Sequence, residues 1–318
     1  MKIKMVKIAF HSESLDIRGT CVALYDYAHY NEILLKNESI ILTSKNKKHD
    51  KLALDKFINR FEVRGYYNNE EFQKLIEDCS IIYHIKYGKN DNFLPKNIKN
   101  IIHCVFDMSE PHGDVYAGVS DTLAKKFNKP LFVPHMASLQ PSKTKENLRK
   151  DFNIPENAIV FGRHGGRDTF DLPFVRHVIK TIIRNRSDIY FIFVNTPPFD
   201  NHKNIIFFDQ IVNDDDKNKF ICTCDAMIHA QLLGETFGLA ISEFSVNNKP
   251  IITYGGDVWN DNYKNILQNN ALYYYDAKDL YNILNTFSKK EYINKDLNFY
   301  KEYSPEKVMK IFKKVFID

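Results

Sequence analysis

Short apolar runs rich in β-branched and aromatic residues alternate along this chain with segments of helical period, a pattern that admits few folds beyond parallel sheets wrapped by helices. The first unit runs from a strand at Val6–Phe10 through the loop HSESLDIRGT. It continues into a helix whose apolar residues Cys21, Leu24, Tyr25 and Ala28 fall at i, i+3, i+4 and i+7. Further strands are expected at Ile40–Thr43, Phe61–Arg64, Ile81–Ile85, Ile101–Phe106 and Leu131–Pro134. The stretch from Ala137 to Asn157 is polar, punctuated by proline and without strand signal, and reads as a linker. Strands resume at Ala158–Phe161, Ile189–Val194, Ile205–Phe208, Ala226–Ala230, Pro250–Tyr254 and Ala271–Tyr274. Among the helices between them is one bearing Val175, Val178, Ile179 and Ile182. Ser304 and Pro305 open a terminal amphipathic helix with Val308, Ile311, Phe312 and Val315 on its apolar side.

The 318 residues suit two domains at roughly 150 residues each. With 44% hydrophobic and 26% charged residues the chain is neither disordered nor membrane-embedded. The net charge of +4 is scattered, so electrostatics alone do not argue for a nucleic-acid binder, and no nucleic acid is expected as a partner. The densest basic run, Lys45 to Lys51, reads as a solvated loop. No apolar stretch nears the roughly 18 residues of a membrane-spanning helix. Lysines interrupt the N-terminal MKIKMVKIAF, so no signal peptide is visible. Cys21, Cys79, Cys104, Cys222 and Cys224, without an export signal, point to a reducing compartment, and the Cys222/Cys224 pair reads as structural thiols. The expectation is a cytoplasmic protein, with room for a peripheral membrane contact.

The most informative segment is Met227 to Thr253, MIHAQLLGETFGLAISEFSVNNKPIIT. A strand enters the loop QLLG, and Phe237, Ala240, Ile241 and Phe244 then repeat at helical spacing, placing a helix start near Thr236–Phe237. Glu235 precedes that helix and Glu243 lies about two turns in, roughly 10 Å along the axis. Between them the Phe237–Gly238–Leu239 backbone offers helix-start N–H groups to a phosphate, and Gly238 permits close approach.

GETFGLAISE, with its strand before and NNKPIIT after, resembles the Glu-x7-Glu signature of the retaining GT-B glycosyltransferases of family four, although Thr236 stands where that family often has glycine. The resemblance implies two Rossmann-like α/β domains facing each other across a cleft, with the C-terminal helix packing back toward the N-terminal domain. Residues 1–137 would form the acceptor-side domain, 138–300 the nucleotide-sugar domain and 301–318 the closing helix. It implies that Glu243 accepts hydrogen bonds from a ribose diol. Thr236 and the Phe237–Leu239 backbone would then hold a diphosphate while Glu235 binds the transferred sugar.

The loop GRHGGRDTFDLPF offers Arg163 and Arg167 to the diphosphate, with Arg163 matching the family's strand-end arginine. Gln210, Ile211 and Val212 would lie beside the nucleobase, and Gly19 in the turn before the first helix would lie near the phosphates. His84 is the choice for a histidine touching the transferred sugar, ahead of His103. His112, Gly113 and Asp114 form a polar loop that could meet the acceptor. Asp214, Asp215 and Asp216 read as first-turn charge complementing a helix dipole rather than as a metal site.

The implied activity is retaining transfer of a sugar from a UDP-, GDP- or ADP-sugar to a hydroxyl of a glycan, a lipid-linked acceptor or another acceptor. It would need no cofactor and no metal. The competing reading is a catalytically weak nucleotide- or sugar-binding module, and a sugar epimerase is a third.

Overall fold

The computed structural model describes residues 5–318, which divide into two compact units. One runs to Ser138 and also takes in Tyr303–Asp318; the other is Leu139–Glu302. The signal-peptide expectation rests in part on residues 1–4, which lie outside the described residues.

In chain order the first unit comprises β1 (Lys7–His11), α1 (Gly19–Ile33), β2 (Glu38–Ser44), α2 (Lys51–Ile58), β3 (Glu62–Tyr66), α3 (Asn69–Lys74), β4 (Ile81–Lys86), β5 (Lys99–Cys104), β6 (Val115–Gly118) and α4 (Asp121–Lys126). Its six strands pair in parallel in the order β3-β2-β1-β4-β5-β6. A parallel sheet covered on both faces needs continuous apolar strands, and Ile8, Ala9, Phe10, Ile40, Ile41, Leu42, Ile82 and Tyr83 are all fully buried. The strand order reverses between β1 and β4, where His11 and His84 are register partners.

The second unit repeats the plan with β7 (Ile159–Arg163), α5 (Pro173–Asn185), β8 (Ile189–Val194), β9 (Ile205–Phe208), α6 (Asp214–Thr223), β10 (Ala226–His229), β11 (Gly234–Glu235), α7 (Leu239–Val246), β12 (Ile251–Tyr254), β13 (Asn260–Asp261), α8 (Asn262–Leu267), β14 (Leu272–Tyr274) and α9 (Ala277–Thr286). The main sheet is again parallel, ordered β14-β12-β10-β7-β8-β9, and β11 pairs separately with β13. Here the reversal lies between β7 and β10. One face is closed by α5, whose Val175, Val178, Ile179, Ile182 and Ile183 meet Phe161, Phe191, Phe193 and Ile228 in one core.

Two strand expectations need correction. Leu131–Pro134 forms a single bridge, Phe132 to Gly118, because Pro130 and Pro134 restrict the backbone around it and Pro134 has no N–H to give. The sixth strand is β6, which its alanine and glycine concealed from a hydropathy reading.

The chain closes with α10 (Pro305–Phe312), extended by a wider turn over Lys313–Ile317, within the first unit. Phe312 is fully buried and its ring lies 5.2 Å from Tyr27, 5.6 Å from Tyr83 and 6.4 Å from Phe10. Phe312→Ala should therefore lower unfolding stability by about 3–5 kcal/mol through lost burial and a residual cavity. Urea titration reads this directly, and a loss below about 1 kcal/mol would mean that the helix is not anchored by this ring.

Candidate functional site

The second unit gathers most of the singled-out residues where its strand order reverses, at the carboxyl ends of β7 and β10. α7 starts at Leu239, two residues later than the apolar spacing suggests, because Gly238 takes a left-handed conformation (φ 84°, ψ 62°) and caps the helix. Phe237 is buried ahead of the helix rather than in it. Glu235 lies on β11, held by the pairing of Gly234 with Asn260 and of Glu235 with Asp261. No side chain caps α7, so its first amides have neither an intrahelical partner nor a side-chain acceptor at the cap. Tyr300 fixes this turn from below: its hydroxyl donates to the Phe237 carbonyl at 3.0 Å, and its ring meets the Phe237 ring edge-on.

Glu243, one turn into α7, is 7% exposed. Its Oε1 accepts from Lys217 Nζ on α6 at 2.6 Å, and its Oε2 lies 2.9 Å from His164 Nε2 in the loop after β7. Burial alone would push the carboxyl up, but Lys217 and His164 outweigh it and hold it at about 2. The His164 ring is itself held between Phe244, stacked at 5.7 Å, and the edge of Phe220. Glu243 is thus an ionised acceptor held by Lys217 at Oε1, with His164 Nε2 close to Oε2.

Arg163 departs from expectation. It is 3% exposed, and its guanidinium donates to Thr196 Oγ1 at 2.6 Å, the Asn195 carbonyl at 3.2 Å, the Gly166 carbonyl at 2.6 Å and Thr169 Oγ1 at 2.7 Å. Burial brings it down to about 10, with Glu235 pulling the other way. A side chain so committed shapes the loop and does not present its charge to a ligand. Arg167 is exposed and makes no hydrogen bond or ion pair among the described residues.

Gln210, Ile211 and Val212 occupy the turn between β9 and α6. Asp214, Asp215 and Asp216 line the first turn of α6, capped by Asn213, as dipole complementation requires. Among the described residues no cluster of three or more His, Cys, Asp or Glu side chains could hold a metal ion.

Gly19 and His84 belong to the first unit. Gly19 is exposed and opens α1 behind Arg18. His84 is 2% exposed, its Nδ1 lies 2.9 Å from His11 Nδ1, whose other nitrogen meets Tyr66 Oη, and its Nε2 is buried without a hydrogen-bond partner. Burial holds both rings neutral, His11 near 3 and His84 well below the usual range. His103 bonds Tyr83 and the Val133 carbonyl and is structural. His112 contacts the Glu110 carbonyl and Asp114 accepts from the Asn100 amide, so that loop is braced internally.

Lys217, His164, His229 and Tyr300 escaped the sequence reading. The only local signal among them was the polar His229 ending the apolar run AMIH.

The Lys217–Glu243 pair makes a pH prediction. Glu243 titrates at about 2 folded against 4.5 when unperturbed, so the unfolded chain takes up the proton first. The stability it contributes is present above about pH 4.5 and is lost as pH falls toward 2. Lys217→Met should cost about 3–5 kcal/mol at neutral pH and flatten this acid limb. Urea titrations at neutral and acidic pH test it, and an unchanged acid limb would contradict the pairing.

No family model matches the sequence, and no curated protein matches it. Solved structures do. HepE from Anabaena, crystallised with UDP and glucose, superimposes with a TM-score of 0.71 at 13% identity over 98% of each chain. TarM from S. aureus, crystallised with fondaparinux, α-GlcNAc-glycerol and UDP, gives 0.69 at 8% identity, covering 99% of this chain and 100% of its own. A Listeria monocytogenes protein proposed to be a UDP-N-acetylglucosamine 2-epimerase gives 0.63 at 11%, covering 98% and 96%. At these identities the likeness is one of fold: two Rossmann-like α/β domains of the GT-B type.

Proposed function

We propose that the protein is a retaining GT-B glycosyltransferase of the family-four type, moving a sugar from a nucleoside diphosphate sugar to an acceptor hydroxyl. The observation that carries this reading is the turn Gly234–Leu239. There a left-handed Gly238 opens the uncapped start of α7 beside Glu235, with the ionised Glu243 one turn further on. Helix-start amides and dipole suit a diphosphate, and an anionic acceptor on the same helix suits a ribose diol.

In this reading Thr236 and the Phe237–Leu239 backbone receive the diphosphate, Arg167 adds charge from the neighbouring loop, and Ile211 and Val212 border the base. Glu235 binds hydroxyls of the transferred sugar. Arg163 acts by holding the loop that presents Arg167. The bond between the sugar's anomeric carbon and the phosphate oxygen breaks while the acceptor oxygen bonds to that carbon on the same face. The acceptor's proton passes to the departing phosphate. Stabilising the charge on the diphosphate is then the main task of the site. The first unit would supply acceptor recognition, and the chemistry as written calls on no metal. HepE and TarM, with UDP in their crystals, support a uridine nucleotide as the first donor to try.

A melting screen against UDP, GDP, ADP and their sugar conjugates tests the reading. A nucleotide at about 100 times its Kd should stabilise the protein by about 2.7 kcal/mol. Glu243→Gln should weaken that nucleotide roughly 10- to 100-fold, since a hydrogen bond to a charged group is exchanged for a neutral one. Transfer with the anomeric configuration kept is the expected product, read by NMR. Release of an epimer instead would establish the epimerase reading, and stabilisation by no nucleotide would defeat a donor site.

A further inference from the structure

His229 ends β10 directly before the loop that carries Glu235. It is 6% exposed, and its Nε2 is buried without a hydrogen-bond partner. Buried polar atoms are nearly always satisfied, so an orphan at a ligand-facing strand end calls for an explanation. The rest of the residue is fixed. Nδ1 lies 2.9 Å from Thr253 Oγ1, the ring meets the Tyr263 ring edge-on at 5.6 Å, and the carbonyl accepts from Tyr274 Oη. The orphan faces the Glu235 carboxylate, with Nε2 to Oε1 at 3.6 Å. That is too long for a hydrogen bond but within reach of a small side-chain rotation. Glu235 is the partly exposed member of the pair, with 29% of its side chain open, and so is the one able to move.

We propose that His229 is the positioning residue for Glu235: its Nε2–H captures Oε1 when the transferred sugar seats, turning the other carboxylate oxygen to the sugar hydroxyls. This rests on the reading of Glu235 as the sugar-binding carboxylate. A facing carboxylate favours the imidazole tautomer with hydrogen on Nε2, and Nδ1 then accepts from the Thr253 hydroxyl. Thr253 is fully buried on β12, and its hydroxyl, able to donate or accept, satisfies Nδ1 in that tautomer. A leucine or valine at position 229 would fill the same space, but it could not orient a carboxylate.

The test compares wild type with His229→Leu, His229→Gln and Thr253→Val. UDP affinity is read by calorimetry, and turnover is read as UDP released from UDP-glucose to water, with the GDP-mannose and ADP-glucose pairs run alongside. His229→Leu should leave nucleoside diphosphate affinity within roughly twofold and lower kcat by about 10-fold or more, the scale of a lost charge-assisted hydrogen bond. His229→Gln, which keeps an N–H near the Nε2 position, should recover part of kcat. Thr253→Val should lower kcat in the same direction. Nitrogen NMR of the wild-type ring should show the Nε2-protonated tautomer, a measurement that needs no variant to fold. Turnover unaffected by His229→Leu, or a neutral ring protonated on Nδ1, would overturn the proposal. Failure of every nucleotide to bind wild type would instead overturn the donor-site reading.

Discussion

A carboxylate cannot be taken out of water alone, and the partners that Glu243 requires organise the second unit's ligand end. Lys217 reaches it from α6 and His164 from the loop after β7, so one buried charge joins three segments distant in sequence. Removing Lys217 would leave an ion in a poorly polarisable interior, a far larger penalty than an exposed pair ever carries. The arrangement keeps the carboxylate ionised and its direction fixed before any ligand arrives. Preorganisation of this kind is what an acceptor of ribose hydroxyls needs.

Arg163 does comparable work on the adjoining loop. Its guanidinium gathers carbonyls and hydroxyls from the ends of β7 and β8, and Asn195 adds a bond to the Gly165 carbonyl. Asp171 then ties that loop to the segment after β10 by accepting from the Leu232 amide. These contacts fix the surroundings of the turn before α7, while Glu235 and Arg167 keep some freedom at the surface. Rigid framing with a few mobile polar groups is the distribution expected where a polar ligand must be both recognised and released.

The fold was largely legible because the physics that builds it is local. Ile189–Val194 and Ile205–Phe208 were read with their observed limits, since an unbroken β-branched and aromatic run has few other uses. The strand β6 was hidden because VYAG carries little apolar bulk, and Leu131–Pro134 misled because apolar character was read without the restriction its prolines impose. Glu235 and Glu243 stand out by their spacing within one segment. Lys217 does not, since it lies 26 residues from its partner and only tertiary packing brings them together. Arg163 was singled out for its charge, but its neighbours in space turned that charge inward. Spacing suggests which groups could meet a ligand, whereas burial decides which of them remain available.

The central claim is that the start of α7 receives the diphosphate. Amide NMR of the labelled protein, titrated first with uridine and then with UDP, tests it most directly. The account predicts that the Gly238, Leu239 and Ala240 amides move downfield with UDP and stay nearly still with uridine. Equal shifts with both ligands, or shifts confined to other segments while UDP binds, would contradict it.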